Sequence, residues 1–196
     1  MTDTAKPTAS TKARIKLGPR YWRLWSASLV SNLGDGVAMV AYPWLASAVT
    51  RNGLLIGLIA VAQRLPWLVF TLPAGVITDR LDRRKIMVVM DTVRALVTLA
   101  VSFFVLSRQG DLPAPEAIAS GAELATDSTL YVIVLVASLI FGVAEVLRDN
   151  AAQTILPAIV EPEALEKANG QLWGVELVAN SFAGPPLGSF LIGLAF

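Results

Sequence analysis

The stretch 75-GVITDRLDRRK-85 places four basic and two acidic side chains in its last seven positions, and it lies between two long apolar runs. Working outward from it, five segments are long and apolar enough to cross a bilayer. They fall at about 22–49, 54–77, 86–107, 129–151 and 168–196. A membrane helix needs roughly 20 mostly apolar residues to cover about 30 Å of hydrocarbon. The chain is 55% hydrophobic and 16% charged, whereas soluble domains carry about 25% charged residues. Five such segments in 196 residues leave almost no polar sequence to coat them. This excludes a soluble helical core and predicts an all-α polytopic membrane protein, with the charged stretch as a turn anchored at the lipid headgroups.

Charge distribution gives an orientation, since Lys and Arg accumulate on the cytoplasmic side. Lys6, Lys12, Arg14, Lys16, Arg20 and Arg23 precede or open the first span. Arg80, Arg83, Arg84 and Lys85 follow the second, and Lys167 follows the fourth. Only Arg51 and Arg108 fall on the other side, so the N-terminus is expected in the cytoplasm of a cell-membrane protein. Residues 1–20 are polar and basic, broken by Pro7, Gly18 and Pro19, and read as a disordered cytoplasmic tail. The loop from Arg108 to Ser128 carries Asp111, Glu116, Glu123 and Asp127, as a translocated, solvated loop would. The sequence is still apolar at 191-LIGLAF-196, which suggests the front part of a longer protein.

The spacing inside the charged turn is more specific than anchoring requires. Gly75, three residues, Asp79-Arg80, one residue, Asp82 and Arg83-Arg84 resemble G-x-x-x-D-R-x-G-R-R, the signature loop between helices two and three of the major facilitator superfamily. Asp82 replaces the second glycine of that pattern. The stretch 180-NSFAGPPLGS-189 resembles the superfamily's antiporter motif, G-x-x-x-G-P-x-x-G-G. Gly184, Pro185 and Gly188 match it, while Asn180 and Ser189 stand where glycines are usual. The connection 153-QTILPAIVEPEALEKANG-170 is similar to one found in exporter-like members, with Asn169 expected to open the fifth helix.

The resemblance implies the first five helices of a twelve-helix fold. It makes Asp79, Arg80, Arg83 and Arg84 gate residues, with Gly75 admitting a neighbouring helix. Gly184, Pro185 and Gly188 would bend the fifth helix and let a neighbour pack closely. Lys85 reads as an anchor.

Ionisable residues inside spans are costly and usually face a cavity or one another. By depth, Asp35 and Arg64 sit near the midplane on helices joined by a short loop, and they are expected to pair. Asp91 with Arg94 and Glu145 with Arg148 are three residues apart, one turn, on the cytoplasmic thirds of spans three and four. Glu176 lies at similar depth on span five. Two tiers follow, a midplane pair and a cytoplasmic-side network of Asp91, Arg94 and Glu176. Asp35, Arg64, Glu145 and Arg148 are the proton or substrate candidates. With no histidine in the chain, only Asp or Glu can carry a proton near neutral pH. An unpaired Asp35 could do so, whereas pairing with Arg64 would hold it ionised. Trp44, Trp67 and Trp173 line either a cavity or the core.

The function expected is proton-coupled efflux of a small amphipathic molecule (a drug, siderophore or metabolite) by alternating access. Its partners would be the bilayer, a small-molecule substrate, protons and a missing C-terminal half. A short half-transporter acting as a structural or regulatory membrane subunit is the alternative. With neither Cys nor His, and no nucleophile–base pair or phosphate-binding loop, an enzyme, a metal site, a cofactor and nucleic-acid binding are not expected.

Overall fold

The computed structural model describes residues 16–108 and 127–195. Most of the expected tail (residues 1–15) and of the expected outer loop (residues 109–126) lies outside the described residues. Every described element is helical: α1 (Pro19–Val49), α2 (Gly53–Arg80), α3 (Arg83–Ser107), α4 (Ser128–Thr154), α5 (Leu165–Leu177) and α6 (Gly184–Ala195). Short 3-10 turns at Leu156–Ala158 and Pro162–Ala164 connect α4 to α5, and a π-helical segment, Val178–Ala183, joins α5 to α6.

The helices begin earlier than hydropathy suggests because polar residues serve as caps. Asn52 accepts a hydrogen bond from the Leu54 N–H, and Asp127 accepts from Thr129 and Leu130. Asp82 accepts from the backbone N–H groups of Arg84 and Lys85, at 2.9 and 3.1 Å. The residue that departs from the superfamily glycine is therefore the N-cap of α3, and it satisfies donors a helix start leaves open. Pro19 opens α1, where its missing N–H costs nothing. The fifth span starts before Asn169, which lies one turn inside α5.

Four segments are apolar enough to cross a membrane by length and composition: Gly53–Arg80, Arg83–Ser107, Ser128–Ala158 and Pro162–Leu194. The 31-residue α1 has the length but is not among them. Its polar residues Ser28, Asn32 and Asp35 dilute its hydropathy, and all three are buried against neighbouring helices.

Within the bundle α4 is central, packing on both α2 and α3, while α1 packs along α5, the π segment and α6. In α4, 56% of the spanning window is buried, against 11% in α3, so α3 presents most of its surface outward. Two apolar clusters stack along the bundle. One, at the end opposite the charged turn, gathers Tyr42, Val49, Ile59, Leu130, Val134 and Phe141. The other, at the end of the charged turn, gathers Tyr21, Leu24, Ile86, Ala151, Leu156 and Leu172. Hydrogen bonds tie each end. The Asp127 N–H donates to the Val49 carbonyl (3.2 Å), the Tyr131 hydroxyl to that of Leu55 (3.0 Å), and the Tyr21 hydroxyl to that of Ala168 (3.1 Å).

Lipid gives helices no hydrophobic reason to associate, so close packing at small residues carries much of the load. A Cβ at Gly184 would lie 2.5 Å from Gly36 Cα, and one at Gly36 would lie 2.6 Å from the Asn180 carbonyl oxygen. On the other side of the bundle, a Cβ at Gly142 would lie 2.5 Å from the Gln63 carbonyl oxygen. The π segment adjoins the first crossing. Pro185 and Pro186 have no N–H to donate backward, and the Gly184 N–H reaches the Ala179 carbonyl, five residues back. The Gly-Pro motif is thus realised as a widened turn next to a backbone-to-backbone crossing.

Gly75 behaves differently. Nothing among the described residues comes within 4 Å of a Cβ placed there. The close approach expected at Gly75 is not made inside this bundle, because that face of α2 points away from α4. Gly184→Ala should therefore destabilise the protein by about 1–3 kcal/mol through overpacking, whereas Gly75→Ala should be neutral or slightly stabilising. Unfolding midpoints of the two variants in detergent check this contrast.

Candidate functional site

Between the two apolar clusters lies a layer of buried polar and charged side chains. On α1, Ser28, Ser31, Asn32 and Asp35 recur at helical spacing and so form one stripe. Facing it are Asp91 and Arg94 of α3 and Glu145, Arg148 and Asp149 of α4.

Arg94 is the first hub. It forms a buried ion pair with Asp35 and donates to the Ser31 hydroxyl at 2.8 Å. It approaches Asp91 at 3.5 Å and stacks over the Phe141 ring, 4.5 Å from its centroid. Arg148, 1% exposed, is the second hub. It donates to Asp149 at 2.9 Å and to the Ser28 hydroxyl at 3.0 Å, and its Nε lies 3.7 Å from Asp91. Asp91 joins the hubs, since it also accepts from the Ser31 hydroxyl at 2.9 Å. Each guanidinium has donors enough to serve two helices at once. The layer consequently fixes α1, α3 and α4 relative to one another.

This arrangement corrects several expectations. Asp35 pairs with Arg94, not with Arg64. Arg64 instead lies 3.9 Å from Glu145 and donates to the Met39 sulfur at 3.5 Å. Depth along each helix suggested the first partner, but rotation about the helix axis turns Asp35 toward α3. For the same reason Glu145 and Arg148, though one turn apart, serve different helices. The two tiers are one layer, since the long Arg94 side chain from the cytoplasmic third reaches the midplane acid. Glu176 lies at its margin: it makes none of the layer's direct ion pairs among the described residues but stands within electrostatic reach of Arg148, Asp149 and Glu145. Ser28 and Ser31 carry contacts that depth reasoning overlooked, although their spacing ahead of Asp35 signals a shared polar face.

A narrow cleft opens beside the layer, lined by Asp35, Met39, Gln63, Arg64, Glu145 and Asn180. Arg64 is its exposed member, with 54% of its side chain accessible, while Glu145 is 9% accessible. The Gln63 amide donates to the Ala38 carbonyl at 3.3 Å and holds α2 against α1. Among the described residues no group of His, Cys, Asp or Glu could hold a metal ion.

The charged turn lies at one end of the bundle. Asp79 and Arg83 pair at 3.3 Å, with the Asp79 side chain 72% exposed. Arg80 and Arg84 are exposed beside them. Thr78, fully buried, donates to Asn150 of α4 at 2.8 Å and secures the helix that carries the turn.

Removing one member of a buried pair strands the other, at a cost of about 3–5 kcal/mol. Asp35→Ala and Arg94→Ala should each destabilise the protein on that scale, with the double variant well short of their sum. Arg64→Ala, whose side chain is half exposed, should cost far less. Unfolding midpoints during detergent titration, taken as a double-mutant cycle on Asp35 and Arg94 with Arg64→Ala measured alongside, read these outcomes.

Comparison with known proteins places the chain in a family. Over 91 residues the chain is 37% identical to the multidrug efflux pump Tap of Mycolicibacterium fortuitum, covering 46% of this chain and 22% of that protein. The same pump of Mycobacterium bovis (strain BCG / Pasteur 1173P2) and of Mycobacterium tuberculosis (strain ATCC 25618 / H37Rv) is 33% identical over 94 residues, covering 48% of this chain and 22% of each. The matched stretch of the chain thus spans about a fifth of the length of these relatives. No solved structure matches it. The sequence model of the transmembrane secretion effectors matches residues 18–195, from the turn before α1 to the end of α6. The chain belongs to that family of exporter-like major facilitator proteins, and its described residues include four helices long and apolar enough to cross a membrane.

Proposed function

We propose that the protein carrying this chain is a secondary transporter that expels a small amphipathic molecule across the cell membrane by alternating access, driven by protons. The observation that carries the reading is the buried layer of Asp35, Arg94, Glu145, Arg148 and Asp149, joined by the part-exposed Asp91, in a member of an exporter family. Charges inside a bilayer mark ion and substrate pathways. The matched relatives are named as multidrug efflux pumps, which supports the direction of transport.

In this reading the N-terminus and the charged turn face the cytoplasm, and Asp79, Arg80, Arg83 and Arg84 form a latch. Gly75 and Asp79 are open on this bundle, so the surface that closes on them belongs to a second helical half. The proton carrier is Glu145. Asp35 is held by Arg94 deep in the layer, whereas the ion pair of Glu145 is the longer one to the exposed Arg64, and Glu145 borders the cleft. Proton uptake at Glu145 would release Arg64, and the α2–α4 contact would change with it. The Gly36–Gly184 crossing and the π segment supply a compact pivot between α1 and α6.

Two measurements test this. In inverted vesicles containing the complete protein, adding substrate should collapse an imposed pH gradient. Glu145→Gln should abolish that collapse while substrate binding persists, and an unchanged response would remove Glu145 from the role. The chain contains no cysteine, so Arg83→Cys can be labelled selectively once any cysteine elsewhere in the complete protein is replaced. A membrane-impermeant maleimide should reach it in inverted vesicles and not in intact cells, and the opposite pattern would overturn the orientation.

A further inference from the structure

At the end of the bundle that carries the charged turn, a groove of about 330 Å³ lies between the first turns of α1 and α3. Arg20 and Arg23 of α1 and Arg84 of α3 line it, and all three are exposed. The rest of its wall is mostly apolar. Leu24 of α1 and Met87 of α3 are buried members of the cluster at this end, and Ile155, just past α4, packs against them. The groove therefore joins basic side chains at the surface to an apolar wall held firm by the core.

Charge and polarity together point to the occupant. Among the described residues, none of the three guanidinium groups makes an ion pair. The one carboxylate lining the groove, Asp91, lies two turns past Arg84 on α3, about 10 Å deeper. It is already engaged by Arg94, Arg148 and the Ser31 hydroxyl. Three like charges around one concavity repel one another. The N-terminal ends of α1 and α3, which open at Pro19 and Arg83, add positive partial charge. An anion placed among them relieves that repulsion, and phosphate oxygens suit guanidinium donors. A free anion would leave the apolar wall bare, whereas a phospholipid brings acyl chains to cover it. A choline headgroup would return a cation to the arginines, so the fit is to a lipid of net negative charge.

We propose that the Arg20–Arg23–Arg84 groove seats the phosphate of an anionic phospholipid from the leaflet that the charged turn faces, with an acyl chain along Leu24, Met87 and Ile155. The bound lipid bridges the start of α1 to the start of α3, two helices that meet deeper in the bundle through Ser31, Asp35, Asp91 and Arg94. Arg80, Arg83 and Lys85 do not line the groove. The site is thus a property of the groove and not of basic charge along the turn. It requires the chain to lie in a bilayer, and it stands apart from the transport reading, since neither a substrate nor a proton enters it.

Native mass spectrometry of the complete protein, purified in detergent, tests the site with dioleoylphosphatidylglycerol, dioleoylphosphatidylcholine and glycerol 3-phosphate. Phosphatidylglycerol should bind at least about tenfold more tightly than phosphatidylcholine. Glycerol 3-phosphate, which has the phosphate without the chains, should not displace it. Arg20→Gln and Arg23→Gln should each weaken phosphatidylglycerol binding about fivefold. Ala27→Trp, which narrows the groove from α1, should weaken it as well. Lys85→Gln removes the same charge from a residue outside the groove and should leave the Kd unchanged. Elution of each variant at the wild-type volume in size-exclusion chromatography shows that it is folded. Equal affinity for the two lipids, or equal weakening by Lys85→Gln and Arg20→Gln, overturns the inference in favour of diffuse attraction to basic charge. Displacement by glycerol 3-phosphate overturns it in favour of a free phosphate ester. No binding of phosphatidylglycerol overturns it too, and means that another part of the complete protein closes the groove.

Discussion

Two guanidinium groups buried in a membrane protein set the terms for the rest of this bundle. Neither Arg94 nor Arg148 can reach water, so each must find its counter-charge and hydrogen-bond acceptors among neighbouring helices. Those acceptors come from α1 and α3 as well as from α4, through Asp35, Ser28, Ser31, Asp91 and Asp149. Engaging both arginines at once fixes the rotation of three helices. Apolar contacts against lipid-like surroundings could not do this, because they discriminate weakly between one rotation and another. The two apolar clusters on either side fill space, and the ionic layer decides register.

Close backbone contacts complete that logic. The Gly36–Gly184 crossing brings α1 against α6 near the depth of Asp35, and the Gly142 contact brings α4 against α2 near Glu145. Small residues thus sit beside the functional candidates, where helices must be near enough for short side chains to meet. The charged turn obeys a different rule. Its side chains are mostly exposed, and its order comes from below, through the Asp82 cap and the Thr78–Asn150 hydrogen bond.

Much of this was legible in the sequence. Long apolar segments and the gaps between them located the helices, and the spacing around Asp79 and around Gly184 pointed to the superfamily. The helix ends were less legible, because Asn52, Asp82 and Asp127 look like loop residues until their capping bonds are seen. Partner choice was least legible. Sequence position yields depth at a fixed rise per residue, but a salt bridge between helices depends on azimuth, which is why Asp35 and Arg64 looked matched and are not. The serines at 28 and 31 carried a readable signal in their spacing relative to Asp35. Gly75 is open on this bundle, so the close neighbour its motif implies is not among the described residues.

The π segment is, in effect, one surplus residue absorbed by a single wide turn. Were Val178–Ala183 wound as ordinary α-helix without shortening the chain, everything beyond it would rotate by about 100°. Gly184 would swing off Gly36 while Trp173 and Glu176 stayed in place. The wide turn therefore lets one continuous helix hold two unrelated phases, an aromatic–acidic face before the bulge and a glycine seam after it. It also gives the helix a built-in slip joint, at which the two faces could be clocked against each other without melting either half.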